Sequence, residues 1–263
     1  MSDVTHLPTP DPIVPSAVRD DLAELSEATE RLLRTAAGLE DEELRKPSLL
    51  PGWTRGHVLA HIARNADSLV NLFTGARLGQ QIPQYAGEEA RDRDIQDGAD
   101  RPLAEQLADL RASEQRLAAA VAAMSPGDWD FPVRHRRGYT FPASDIPAKR
   151  LMEIEYHHVD LDAGYTPAHW SAGFAARELE RLAAMFTTGA QDLPAVRLLV
   201  ETGGQELRIG DPEGEPVLTV EGPVRGLVAW LSGRAKGDGL QVRRDGVQVT
   251  DPRTALPQLP AMS

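Results

Sequence analysis

The chain has 263 residues, contains no cysteine and carries a formal net charge of −12. The lack of cysteine excludes disulfides, thiolate metal sites and a cysteine nucleophile, and it is typical of a cytoplasmic protein. The acidic charge disfavours nucleic acid and anionic membranes as partners. No apolar run approaches the ~20 residues that span a bilayer. From the charge and the lack of such a run together, we expect neither nucleic acid nor membrane as a partner.

Hydrophobic periodicity predicts helices over the first two thirds of the chain. A proline-rich tail occupies residues 1–15, and apolar residues then recur at helical spacing in five segments. These segments are residues 16–38, 54–74, 103–124, 144–164 and 171–188. Residues 78–100 are polar and poor in periodicity, and we expect a long connection there.

The pattern changes near residue 191. Short apolar runs separated by Gly, Pro and Asp now predict strands. The runs are Val196–Glu201, Glu206–Ile209, Val217–Val220, Leu240–Arg243 and Val247–Thr250. An amphipathic helix at Pro223–Ser232 lies among them, and Asp245-Gly246 is typical of a two-residue hairpin turn. The sequence therefore predicts an α+β fold, with a helical bundle at residues 16–190 and a small α+β domain at residues 191–263.

Two of the helical segments contain four of the seven histidines. His57 and His61 are four residues apart in one segment, and Glu153 and His157 are four apart in the other. Residues at this spacing share a helix face. His61, Glu153 and His157 lie near the apolar stripes of their helices, where a buried charge needs a partner.

Three neighbours of these residues are weaker candidates. His57 lies further toward the flank of its helix than His61 does. His158 lies close to the apolar stripe and is a candidate ligand or a support for one. Glu155 points to the opposite flank, and we expect its carboxylate to be solvated.

The cluster has two interpretations. The side chains are either hydrogen-bonded core histidines with a salt bridge on a helix face, or they form an open divalent-metal site. Two imidazoles and a carboxylate would leave a fourth position for water or a substrate atom. That donor set suits zinc best, with iron, nickel and cobalt as alternatives. Spacing alone does not separate the two interpretations.

The basic segment Arg134-His135-Arg136-Arg137 is an exception in this acidic chain. It is either a solvated loop or a patch that binds an anionic ligand. Both interpretations remain open from the sequence.

Three motifs resemble those of one known family. LPGWTRGHVLAHIARNAD at residues 50–67 looks like the N-terminal motif of the mycothiol-dependent maleylpyruvate isomerases, a branch of the DinB-like metalloprotein superfamily. EIEYHHVDL at residues 153–161 resembles the second motif of that family. VRGLVAWLSGR at residues 224–234 is similar to the motif of its C-terminal domain. The resemblance implies a DinB-like four-helix bundle followed by a small C-terminal α/β domain.

The resemblance also implies which residues form the site. By position, His61, Glu153 and His157 are implied as the metal ligands, and the implied metal is zinc. The family uses a basic residue of the C-terminal domain near the active site, and Arg234 is the best match. Residues that bind the thiol are not identified.

The implied reaction is the cis–trans isomerisation of maleylpyruvate to fumarylpyruvate in aromatic (gentisate) degradation. Rotation about the double bond requires a nucleophile that adds reversibly, and a thiolate is the natural group. Because the chain has no cysteine, the thiol must come from a cofactor, which the resemblance implies is mycothiol. Zinc would hold that sulfur as thiolate. Arg234 would pair with a substrate carboxylate, with Arg64 and Arg150 as second candidates or as structural ion pairs.

Two other functions fit the same motifs. A mycothiol S-transferase would use the same zinc and thiol but leave the thiol on its product. A non-catalytic metal-binding module would have a closed site. We expect substrate selection to depend on residues 78–100 and 131–143. The expected partners are a small-molecule substrate and the thiol cofactor, and we expect a monomer.

Overall fold

The computed structural model describes residues 14–188 and 193–260. Contacts within the chain divide it into two units, Met1–Gly164 and Tyr165–Ser263. Nearly all of the predicted tail at residues 1–15 lies outside the described residues, and so does the predicted boundary at residues 190 and 191. The two units are considered in turn.

The first unit is a bundle of four long helices with two shorter ones and a small hairpin. The helices are α1 (Ser16–Ala37), α2 (Asp41–Leu44), α3 (Arg55–Leu78), α4 (Glu88–Ala99), α5 (Leu103–Ala122) and α6 (Ile146–Asp160). Strands β1 (Pro132–Arg134) and β2 (Thr140–Pro142) form the hairpin. α3 packs against α4, α5 and α6, and α1 packs against α6. No helix within the described residues of the chain has the length and hydropathy that crossing a membrane requires.

α3 is the central helix because it buries side chains on several faces. Val58, Leu59 and Ile62 are fully buried, and each such side chain stabilises the fold by about 1.5–3 kcal/mol. The helix was expected to end near residue 74, but it continues to Leu78. Gly75 does not end the helix. It lies where the chain after the helix passes close by, and a Cβ at this position would lie 2.6 Å from the Gln80 carbonyl oxygen.

The expected connection at residues 78–100 is wrong over its second half, which forms α4. This helix packs on α3 through small residues. A Cβ on Gly98 would lie 2.8 Å from the Ala60 Cβ, and a Cβ on Gly56 would overlap the Ala99 carbonyl oxygen. The helices therefore approach backbone to backbone, and α4 has no wide apolar stripe.

The second unit combines two helices with a five-stranded sheet in its described residues. Its elements are α7 (Ala172–Thr188), β3 (Val196–Val200), β4 (Glu206–Ile209), β5 (Leu218–Gly222), α8 (Val224–Leu231), β6 (Gln241–Arg244) and β7 (Val247–Gln248). The strand order is β4-β3-β5-β6-β7, with β3 and β5 parallel and the other pairs antiparallel. Asp245 and Gly246 have φ values of 49° and 80°, as a two-residue hairpin turn requires. The α+β class is confirmed.

Candidate metal centre

Three side chains from α3 and α6 converge inside the bundle. His61 Nε2 lies 3.1 Å from both Glu153 Oε2 and His157 Nε2. His157 Nε2 lies 3.3 Å from Glu153 Oε2. Donor atoms bound tetrahedrally to zinc at 2.0–2.2 Å lie about 3.3 Å apart. The three residues therefore fit a divalent ion in donor type and in spacing, and three ligands leave a fourth position open.

The start of α3 places His61 in this cluster. Thr54 is the N-cap, and its Oγ1 accepts a hydrogen bond from the His57 backbone N–H. The His57 ring faces away from the cluster, with Nδ1 2.8 Å from Thr54 Oγ1 and Nε2 3.1 Å from Gln96 Oε1. One turn later His61 points inward, and Trp53 packs edge-on against it with ring centroids 5.5 Å apart. His57 is therefore a capping residue, and His61 is the member of this pair in the cluster.

Burial and mutual charge set the protonation of the cluster. Burial, together with the charge of the neighbouring His157, lowers the pKa of His61 to about 4. Burial alone would raise the pKa of Glu153, but hydrogen bonds with His157 and His61 outweigh it and hold this pKa well below its usual value. Burial also opposes the charged form of His157, but hydrogen bonds with Asp160 and Glu153 raise its pKa overall. At neutral pH the cluster thus contains a neutral His61 and an ionised Glu153.

A fourth residue supports the cluster from outside. Asp160 Oδ2 lies 3.0 Å from His157 Nδ1, and the carboxylate is buried. A carboxylate in this position accepts a hydrogen bond from the Nδ1–H and so leaves the Nε2 lone pair directed toward a metal. Asp160 is not among the residues predicted from the sequence, although its spacing of three residues from His157 places both on one helix face.

Comparison with known proteins decides the family. The family model described as "Mycothiol maleylpyruvate isomerase N-terminal domain" matches residues 25–162. The chain belongs to this family. The range includes all three residues of the cluster and Asp160, and it confirms the resemblance that the motifs indicated.

Two solved structures are similar to this family member. One is described as the crystal structure of the mycothiol-dependent maleylpyruvate isomerase, and the other as that of a mutant with a histidine replaced by alanine. Each has 28% sequence identity and a TM-score of 0.79, over 86% of this chain and 92% of the other. No curated protein sequence matches the chain.

Two of the weaker candidates contact α1 in this maleylpyruvate isomerase family member. His158 Nε2 lies 2.8 Å from Thr35 Oγ1. Glu155 forms an ion pair with Arg31 at 3.0 Å, and its side chain is 1% exposed. The expectation that Glu155 is solvated is therefore wrong. α6 is covered by α1 on one flank and by α3 on another, so its side opposite the cluster is also buried.

The two arginines considered as second candidates in the bundle form structural ion pairs. Arg150 is fully buried, donates to Asn65 Oδ1 at 2.7 Å and pairs with Glu114. Its guanidinium thus joins α6 to α3 and α5. Arg64 pairs with Asp109 at 2.6 Å, which joins α3 to α5.

Arg234 belongs to the second unit and follows α8. Its backbone N–H donates to the Ala229 carbonyl, and its Nη1 donates to the Ser232 carbonyl at 2.7 Å. Gly233 precedes it with a φ of 75°, in the left-handed region that ends many helices. Its catalytic role stays a prediction.

In the basic segment, Arg134 ends β1, and residues 135–137 lie in the turn of the β1–β2 hairpin. Arg136 pairs with Glu88 at 2.8 Å, and its backbone N–H donates to Gln84 Oε1 at 2.8 Å. Gln84 in turn donates from Nε2 to Ser68 Oγ at 3.3 Å. These bonds tie the hairpin turn to α4 and to α3, so part of the basic charge is used internally.

Proposed function

We propose that this protein is a zinc- and mycothiol-dependent cis–trans isomerase that converts maleylpyruvate to fumarylpyruvate in aromatic (gentisate) degradation. The observation that carries the proposal is the cluster of His61, Glu153 and His157, which has the donors and spacing of an open zinc site. A chain without cysteine has no thiol of its own to use there. The similar solved structures are described as an isomerase of this kind.

Each residue of the proposed site has a definite task. If bound, zinc would keep a coordinated thiol deprotonated, and mycothiol would supply the nucleophile for reversible addition to the double bond. His61, Glu153 and His157 hold the metal, and Asp160 fixes the orientation of His157. Arg234 pairs with a substrate carboxylate and stabilises the enolate charge that develops on addition.

The proposal also defines the partners and the compartment. The partners are a small-molecule acid and the thiol cofactor, and the protein acts as a monomer. A thiol cofactor must remain reduced, and the cytoplasm keeps thiols in that state. We therefore place the enzyme in the cytoplasm.

The test is to compare the wild type with His61→Ala and with His57→Ala, a matched change one turn earlier on α3. Metal analysis is followed by an assay of maleylpyruvate with and without mycothiol. His61→Ala should lose zinc and activity together, His57→Ala should keep its zinc, and the wild type should not turn over without thiol. Full activity of the metal-stripped wild type would refute the proposal.

The same assay separates the two other functions. A product whose mass includes the thiol would identify an S-transferase. Zinc-loaded protein that takes up no thiol at the metal would have a closed site and would be a non-catalytic module.

A further inference from the structure

An arginine on α4 lies beside the metal cluster. Arg91 Nη2 is 3.5 Å from His61 Nδ1, on the side of the imidazole opposite the cluster atom Nε2. The guanidinium carbon is 5.9 Å from the centroid of the Tyr85 ring, and the Arg91 side chain is 15% exposed. A largely buried cation therefore stands next to a proposed metal ligand.

The contact between Arg91 and His61 does not satisfy either group once a metal is bound. A neutral imidazole that gives its Nε2 lone pair to a cation keeps its proton on Nδ1. Nδ1 is then a donor, and a guanidinium has donors only. An acceptor oxygen beside the two groups would satisfy both.

The charges near Arg91 also call for an anion. Its ion pair is with Asp92 at 2.7 Å, and the Asp92 side chain is 69% exposed, so solvent and salt weaken this pair. On its other side Arg91 adds positive charge next to His61. A divalent ion held there would add positive charge near Arg91 and so repel it, and the carboxylates of Glu153 and Asp160 would offset part of that repulsion. A bound carboxylate would relieve that repulsion.

Tyr85 holds this cation in place. Burial raises the pKa of the Tyr85 hydroxyl, although hydrogen bonds with Ser68 and Arg91 oppose the shift, so the hydroxyl keeps its proton at neutral pH. The ring face also restrains the guanidinium by a cation–π contact. A planar cationic fork held in one position suits a carboxylate, which it can bind through two parallel hydrogen bonds.

We propose that Arg91 binds a carboxylate of the acid substrate next to the metal centre and so makes the site specific for carboxylate-bearing electrophiles. The inference rests on the proposed function and deepens it, because it gives the substrate a binding residue on α4. The sequence pattern predicts a loop at this residue, and the family resemblance gives carboxylate binding to Arg234 instead.

The test uses the zinc-loaded full chain and maleate, a simple dicarboxylate, as the probe. Arg91→Met removes the charge with little change in length, Arg91→Lys keeps the charge without the fork, and Arg93→Met is a matched control on an exposed position of α4. Calorimetry gives the maleate Kd, metal analysis gives the zinc content, and kinetics give separate KM values for the acid and the thiol.

We expect Arg91→Met to keep its zinc and to weaken maleate binding by about 10–100-fold, as the loss of hydrogen bonds to a charged group does. The KM for the acid should rise and the KM for the thiol should not. Arg91→Lys should fall between, and Arg93→Met should match the wild type.

Three outcomes would overturn the inference. The first is that Arg91→Met binds maleate as tightly as the wild type does. The second is that only the thiol KM of Arg91→Met rises. The third is that Arg91→Met loses its zinc, which would give Arg91 a role in holding the metal. If the wild type binds maleate through Arg91 but does not isomerise maleylpyruvate, the inference is supported and the proposed function is refuted. If the wild type isomerises maleylpyruvate but Arg91→Met binds maleate equally well, the proposed function is supported and the inference is refuted.

Discussion

Asp160→Asn is expected to weaken zinc binding at the cluster by about 10–100-fold, which is about 1.4–2.7 kcal/mol. Asp160 Oδ2 lies 3.0 Å from His157 Nδ1, and the carboxylate is 3% exposed, so solvent does not replace it. An asparagine keeps the shape but loses the charge that raises the basicity of the imidazole. His157 would then be a weaker ligand in the same place.

The zinc Kd is measured on metal-free protein by competition with a chromophoric chelator at fixed pH. Asp162→Asn is the matched control, because Asp162 is exposed and its φ of 54° suits asparagine equally well. The control should bind zinc as the wild type does. A zinc Kd of Asp160→Asn within about twofold of the wild type would show that this hydrogen bond does not tune the ligand, and the reasoning from Asp160 would fail.

Three further outcomes follow from the structure. Zinc binding at pH 6 should release about one proton, because the raised pKa of His157 keeps that imidazole charged in the metal-free protein. The zinc affinity should rise about tenfold per pH unit below this pKa and level off above it. Calorimetry in two buffers would measure both effects. Arg150→Met should cost about 3 kcal/mol in urea unfolding, because it removes a fully buried cation and leaves the partly buried Glu114 carboxylate without this partner. Gly56→Ala should cost about 1–3 kcal/mol, because its Cβ would overlap the Ala99 carbonyl oxygen.

Matched variants give each stability change its reference. Arg111→Met alters an exposed arginine, and Gly127→Ala adds a Cβ that has no atom within 4 Å. Equal stability of Arg150→Met and Arg111→Met would contradict the role given to the buried ion pair. Equal urea midpoints of unfolding for Gly56→Ala and Gly127→Ala would contradict the close contact given to Gly56. Release of two protons at pH 6 would contradict the protonation assigned to the cluster.

Most of the fold could be predicted because its elements follow simple periods. The long helices carry large apolar side chains at helical spacing, and the strands of the second unit lie between turn residues such as Asp245 and Gly246. α4 could not be predicted, because its contact with α3 depends on Gly56 and Gly98. Packing that depends on a missing side chain leaves no apolar stripe in the sequence.

The site could be predicted in part, for related reasons. Spacing put His61 on one helix face and Glu153 with His157 on another, but spacing does not say that two helices face each other. The burial of Glu155 was missed because a single apolar stripe was assumed, whereas α6 is covered on two flanks. Arg91 gave no signal at all, since its contact with His61 joins residues 30 positions apart on different helices.

Because the cluster joins two helices, a bound metal would also stabilise the folded bundle. His61 and Glu153 are 92 residues apart in the chain, and α4 and α5 lie between them. An ion that binds only the folded arrangement stabilises it by mass action, by about 1.4 kcal/mol for each tenfold rise in free ion above the Kd. All three residues of the cluster belong to the first unit. Cellular zinc would thus govern how long the bundle survives heat or proteolysis, as well as whether it can act on a substrate.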